Sequence, residues 1–179
     1  MRVAIVGPES CGKTTLARAL QARLTQAGVS AVCVDEYARA YYAERAYHPA
    51  PQDVLAIARG QLEAEAQAAL TQPRVLLCDS TVLTCVIWAQ VAFGSADDPL
   101  LSLNRPLDYD LTLLACADIP WAPDPLRSHP NERDVLLERY REALYAAGVN
   151  PVEVRGNKEA REMSAWNAVQ EMLEELPKI

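Results

Sequence analysis

No apolar run in this 179-residue chain approaches the ~18 residues that a membrane-crossing helix needs. The opening stretch Met1-Arg2-Val3-Ala4-Ile5-Val6-Gly7 is too short, and breaks too early, to read as a secretory signal. Positive charge is also scarce: 17 Lys and Arg against 24 Asp and Glu leave a formal net charge of −7. That balance argues against a protein whose main task is gripping nucleic acid or an anionic membrane. A small anionic ligand is still allowed, because a local nest of N–H groups overcomes a global field. The five cysteines (Cys11, Cys33, Cys78, Cys85, Cys116) are odd in number and show no C-x-x-C spacing. Four sit in or beside apolar runs, so reduced core thiols in a cytoplasmic protein are expected, and a zinc site is not. No repeat, low-complexity tract or linker divides the chain, and one domain over residues 1–179 is expected. Self-association is left open.

What the chain does have is alternation. Short apolar runs at 2–6, 31–34, 75–78, 111–116 and 152–154 are separated by longer stretches of helical period. The runs are nearly continuous, as in strands covered on both faces. The fold class predicted is α/β, three-layered, with a five-stranded parallel sheet. Helical stripes are predicted along Leu16, Leu20, Leu24 and Ala27, and along Leu55, Ala58, Leu62 and Ala66. Two more follow Leu136, Tyr140, Leu144 and Ala147, and Met163, Trp166, Val169, Leu173 and Leu176. Gly28 and Gly148 are placed to stop the first and third of these. Pro-rich stretches at 49–51 and 120–130 read as loops at the rim of the sheet.

The strongest local signal is Gly7-Pro8-Glu9-Ser10-Cys11-Gly12-Lys13-Thr14, a full match to G-x-x-x-x-G-K-[ST] lying between a strand and an amphipathic helix. Gly7 and Gly12 permit a close backbone approach. Main-chain N–H groups from Glu9 through Ser10 and Cys11 to Thr15 are aimed at phosphate oxygens, aided by the helix N-terminus. Lys13 reaches the β- and γ-phosphates, and the Thr14 hydroxyl ligates Mg²⁺. The motif predicts a P-loop that binds a nucleoside triphosphate. A second Mg²⁺ anchor is expected at Asp79, the carboxylate ending the run 75–78, although helix capping would suit Asp79 equally well.

The acceptor side is read from Asp35-Glu36-Tyr37-Ala38-Arg39, directly after the second strand. A carboxylate there, Asp35 or Glu36, can take the proton of an attacking hydroxyl, with Tyr37 and Arg39 helping to bind the acceptor. The loop from Trp121 to Arg133 reads as a lid (about residues 120–134) whose Arg127 and Arg133 close over the phosphates. Asn157, after the fifth strand, is the candidate neighbour of the nucleotide base. Trp88, inside an apolar helix, reads as core. No guanine-reading N-K-x-D is present: Asn157-Lys158-Glu159-Ala160 lacks the Asp.

These residues together resemble the ribosylnicotinamide kinase domain of NadR-type proteins, P-loop nucleoside kinases of the AAA-like ATPase group. The resemblance is carried by the P-loop and its continuation through residue 16, by Glu36-Tyr37-x-Arg39, by Asp79-Ser80-Thr81 and by Trp121-x-x-Asp124-x-x-Arg127. It extends over roughly residues 2–175. It implies transfer of the γ-phosphate of ATP, with Mg²⁺, to the 5′-hydroxyl of nicotinamide riboside, giving nicotinamide mononucleotide. Glu36 or Asp35 would then hold and deprotonate the ribose hydroxyl, with Asp79 and Trp121 in the substrate site and Arg127 in the lid. Some family members carry a second acid where this chain has Thr81. The adenylyltransferase and DNA-binding portions of longer NadR proteins are missing, so a free-standing kinase is expected. Kinases for another nucleoside, a nucleotide or a vitamin alcohol, and a regulatory NTP-binding module, are the rival readings.

Overall fold

Each of the five apolar runs becomes a strand of one parallel sheet in the computed structural model, which describes residues 1–175. In chain order the elements are β1 (Arg2–Val6), α1 (Lys13–Gln26), β2 (Ala31–Val34), α2 (Tyr37–Tyr42), α3 (Pro51–Ala69) and β3 (Val75–Asp79). Then come α4 (Val82–Phe93), α5 (Asp98–Leu103), a 3-10 turn (Pro106–Asp108), β4 (Leu111–Ala115), α6 (Arg133–Ala146), β5 (Val152–Val154) and α7 (Lys158–Glu175). The strand order is β2-β3-β1-β4-β5, so β1 is central and its neighbours are reached by crossovers in opposite directions. Ligands of open parallel sheets bind at that switch point, beyond the carboxyl ends of the strands. Strand β3 runs one residue beyond expectation and takes in Asp79, whereas β4 ends at Ala115.

Alternation along the strands builds the three layers. Val3, Ile5, Val75, Leu77, Leu111 and Leu113 pack with Leu16, Leu20 and Leu24 of α1 and with Ala165, Trp166 and Val169 of α7. The opposite face sets Ala4, Val6 and Leu114 against Leu83 and Ile87 of α4 and Leu136, Leu137, Tyr140 and Leu144 of α6. Helices α1 and α6 stop where their glycines were expected to end them. Val29 N–H returns to Leu24 O, and Val149 N–H to Leu144 O, each at 2.9 Å.

Three predicted stripes need correction; in the first, Ala27 is exposed because it is the C-cap where the chain leaves α1. Helix α3 buries Val54, Ile57, Ala58, Gln61 and Glu65 and leaves Ala66 exposed. Its inner face is rotated because two polar side chains find partners from distant parts of the chain. Glu65 has no exposed surface; it accepts from the Arg2 guanidinium and from the Tyr109 hydroxyl at 3.0 Å. Met163 is exposed, since Ala165, Trp166 and Val169 already fill the inner face of α7. Leu176 lies outside the described residues. All five cysteines are free, as expected. Among the described residues no helix is long and apolar enough to cross a membrane, and no group of three or more His, Cys, Asp and Glu side chains is placed to hold a metal ion.

Candidate active site

The P-loop turns directly off β1. Gly7 has φ 142°, and a Cβ there would meet the Ala115 carbonyl oxygen at 2.4 Å, so β4 leaves no room for any side chain. Ser10 adopts φ 54°, a left-handed conformation that its surroundings must hold. Gly12 caps α1 without a side chain, leaving the first N–H groups of the helix free for an anion. Lys13 Nζ donates to the Gly7 and Pro8 carbonyls, each at 2.9 Å. Burial works against its charge, but Cys11, Tyr140, Glu36 and Asp79 around it hold the ammonium above its ordinary value.

Thr14 Oγ1 donates to Asp79 Oδ2 at 2.5 Å, joining the loop to the end of β3. Asp79 is 1% exposed and its Oδ1 has no partner. Burial pushes this carboxyl above its ordinary range, with the Thr14 bond and Lys13 opposing. A hydroxyl and a buried carboxylate with an orphaned oxygen form a hard-oxygen donor set that fits Mg²⁺.

Sequence reasoning missed Arg161, on α7. Its guanidinium is buried and donates to Cys11 O at 3.0 Å, Cys116 O at 2.7 Å and Gly156 O at 2.8 Å, and it pairs with Asp118. The P-loop backbone is thereby pinned from behind. The Cys11 thiol is buried, and burial raises its pKa, so the residue contributes packing and main-chain atoms to the cradle.

The two candidate bases separate. Asp35 is exposed and pairs with Arg18. Glu36, at the start of α2, lines the phosphate cleft together with Lys13, Thr14, Arg39 and Arg127. Tyr37 does not join them: its ring packs against Gly60 of α3. Its N–H donates to the Gln61 side-chain oxygen at 2.9 Å, which fixes the start of α2 and with it Glu36. Arg39 is braced between Glu36 at 3.4 Å and Asp124 at 3.0 Å.

The segment 116–132 forms an irregular strap over the P-loop; Arg133, expected inside the lid, is instead the first residue of α6. Arg133 donates to Ser10 O at 3.3 Å and Ile119 O at 2.9 Å. Arg127 donates to Ala122 O at 2.6 Å and Ser10 Oγ at 3.4 Å. Trp121 Nε1 donates to Glu9 Oε1 at 3.1 Å, so Trp121 is held to the P-loop side chain. Asn157, the expected neighbour of the base, caps α7 by accepting from Ala160 N–H at 2.9 Å.

Beside the phosphate cleft, which spans about 520 Å³, lies an open apolar cleft of about 630 Å³ with Tyr42, Tyr47, Ile57, Thr84 and Trp88 in its walls. Glu36 and Leu126 belong to both. Trp88 is therefore a wall of the site rather than core, because Glu36 and the strap leave one side of α4 uncovered. Gln61 and Ser80, both 3% exposed, also line this cleft, and each has a side-chain atom without a partner. Ser80 has φ 70°, strain of the kind found at functional sites.

The fold as a whole finds counterparts in solved structures. A NadR protein in complex with NAD and AMP-PNP superposes with TM-score 0.74 at 21% identity, over 99% of this chain and 51% of that one. A NadR protein in complex with NR gives TM-score 0.72 at 21% identity, over 99% of this chain and 52% of the other. The chain thus spans about half the length of these structures and shares their nucleotide-binding P-loop fold. No curated protein sequence matches it. The family model described as AAA domain matches residues 2–161, and the chain belongs to that family.

Proposed function

We propose that this protein is an ATP-dependent kinase that phosphorylates the 5′-hydroxyl of a nucleoside, with nicotinamide riboside as the acceptor of first choice. One observation carries the reading: Glu36 stands where the phosphate cleft and the aromatic-walled cleft meet. A carboxylate at that junction is placed to take a proton from a hydroxyl whose oxygen faces a bound γ-phosphate. Among the described residues, Glu36 is also the only charged side chain lining the apolar cleft. A neutral or cationic base suits such walls, and an anionic nucleotide acceptor does not. The solved NadR structure that holds NR supports the same choice.

In the proposed reaction the P-loop N–H groups and Lys13 bind the triphosphate and keep its γ-phosphate at the mouth of the acceptor cleft. The 5′-oxygen forms the new bond to the γ-phosphorus while the bond to the β-γ bridging oxygen breaks. The hydroxyl proton passes to Glu36, and ADP leaves with the bridging oxygen. Arg127 offsets the charge on the transferred group, and the strap keeps water from competing. Thr14 and Asp79 would hold Mg²⁺, which supplies neutralisation of phosphate charge. Besides the proton transfer to Glu36, positioning and electrostatics make up the protein's contribution. The free cysteines support the expected cytoplasmic setting.

The test is ADP release from Mg·ATP with nicotinamide riboside, a purine and a pyrimidine nucleoside, a nucleoside monophosphate and a vitamin alcohol as acceptors. Riboside-dependent ADP together with a phosphorylated riboside by mass spectrometry is the expected result. ADP release that no acceptor stimulates overturns the reading and favours a regulatory NTP-binding module.

A further inference from the structure

The P-loop pattern leaves its third position open, and here that position is Glu9. A carboxylate inside a phosphate-binding loop repels the ligand unless its charge is engaged elsewhere. In this protein three neutral donors of the strap engage it. Glu9 Oε1 accepts from His129 N–H at 2.8 Å and from the Trp121 indole at 3.1 Å, and Oε2 accepts from Ser128 N–H at 3.0 Å. The Glu9 side chain is 16% exposed, so these bonds are only weakly contested by water. A neighbouring P-loop bond adds to them: Ser10 Oγ accepts from Ala122 N–H at 2.9 Å. Arg127 sits between the tethered points, one residue before Ser128, and faces the phosphate cleft.

Between those tethered points the strap is held separately, by the Asp124 pair with Arg39 of α2. The reach of Arg127 is therefore set from two sides, and on the P-loop side the Glu9 carboxylate accepts three strap donors beside the bonds to Ser10 Oγ. Hydrogen bonds from two consecutive main-chain N–H groups to one carboxylate fix the local chain direction, not merely its distance. Fixing that direction is what a cation meant for a transferring phosphoryl group needs, since electrostatic stabilisation depends on placement before the reaction begins.

We propose that Glu9 is a positioning residue that latches the strap to the P-loop and so places Arg127 over the transferring phosphate. The proposal rests on the kinase reading above and on the role given there to Arg127. It predicts a kinetic signature that packing loss alone does not produce. Nucleotide binding by main-chain groups and Lys13 continues without the latch, whereas the transition-state contact is lost. Glu9→Ala therefore lowers kcat by about 10- to 100-fold, with KM for Mg·ATP changed by less than about threefold. Glu9→Gln keeps an amide oxygen that accepts from the strap N–H groups and retains most of the wild-type kcat. Because both residues act through one contact, Glu9→Ala combined with Arg127→Ala is no slower than Arg127→Ala alone.

The experiment measures kcat and KM for Mg·ATP and nicotinamide riboside in wild type, E9A, E9Q, R127A and E9A/R127A. Tryptophan emission, with W121F as the subtraction, reports the latch directly, and release of Trp121 shifts its emission to the red in E9A. Losses that multiply in the double variant, an E9A kcat within about twofold of wild type, or unmoved Trp121 emission each overturn the proposal. Wild-type turnover in R127A removes the role of Arg127, a different failure. If wild type itself shows no riboside-dependent turnover, the kinase reading fails, while the emission shift still decides whether Glu9 is the latch.

Discussion

The Arg161 guanidinium donates to the carbonyl oxygen of Cys11 at 3.0 Å, although 150 residues separate the two in sequence. The same group reaches the carbonyls of Cys116 and Gly156, so a single side chain of α7 fixes the backs of three loops at the carboxyl end of the sheet. Arg161→Ala leaves the Cys11 and Cys116 carbonyls buried without a donor, at about 1–3 kcal/mol each. The expected loss is about 3 kcal/mol, which lowers the Tm by roughly 6–12 °C. Arg161→Lys keeps the charge beside Asp118 but not the fork that spans the carbonyls, and falls between the two. Urea unfolding checks the stability, and the KM for Mg·ATP, which rises in both variants, checks the link to the cradle.

Glu36 and Asp35 are adjacent yet differ in environment, and that separates their expected roles. Glu36 lies at the junction of the two clefts, whereas the Asp35 side chain is 63% exposed and pairs with Arg18 on the outer surface of α1. Glu36→Gln removes the proposed base and is expected to lower kcat by about 10²- to 10⁴-fold. Asp35→Asn breaks only an exposed ion pair and leaves kcat and stability within about twofold and 1 kcal/mol of wild type. Steady-state kinetics with the riboside decides between them, and equal losses in the two variants contradict the assignment.

Asp79 combines a demand of function with a cost in stability. Burial raises its pKa above the ordinary 3.8, so the folded protein holds this proton to higher pH than the unfolded chain does. Its contribution is therefore favourable below the ordinary value and is lost as pH rises through the raised folded value. Asp79→Asn removes that loss while keeping an oxygen to accept from Thr14. The variant is expected to melt above wild type at pH 7 in the absence of ligand, with the difference vanishing at acid pH. Its kcat is expected to fall by about 10- to 100-fold because the carboxylate proposed to hold Mg²⁺ is gone. Thermal melts across pH and turnover at saturating Mg²⁺ test the two halves; a variant less stable than wild type at pH 7 contradicts the first.

Much of this architecture is legible in the amino-acid order, and what is not has physical causes. Strands such as β1 and β3 are covered on both faces, so their apolar runs are continuous and their bounds can be read within a residue. The P-loop is equally plain, because its chemistry is local. Partnerships across long sequence distances are not legible. Gln61 and Glu65 look like surface residues until the Tyr37 N–H, Arg2 and Tyr109 supply partners. Nothing in the local pattern of α7 marks Arg161 as different from an arginine in water. The exposure of Trp88 likewise depends on Glu36 and the strap failing to cover α4, a property of the assembled fold.

Gly60 gives a last test of how α2 is placed. An alanine inside an exposed helix is ordinarily about 1 kcal/mol better than glycine. At position 60 of α3 the added Cβ would lie 2.1, 2.4 and 2.6 Å from three ring atoms of Tyr37. Ordinary carbon contacts are about 3.5–4.0 Å, so the whole ring must move by more than about 1 Å. Such overpacking costs about 1–3 kcal/mol, enough to reverse the helix preference. Tyr37 follows Glu36 directly, and its N–H is tied to Gln61, so a displaced ring tilts the first turn of α2 and carries Glu36 with it. Gly60→Ala is therefore expected to lower the Tm and to cut kcat/KM for the riboside by about 10-fold or more. The KM for Mg·ATP stays near wild type, because the P-loop is held by α7 and the strap rather than by α3. A Gly60→Ala protein more stable than wild type, or one whose defect lies in ATP binding, would show that α2 is not positioned by this contact.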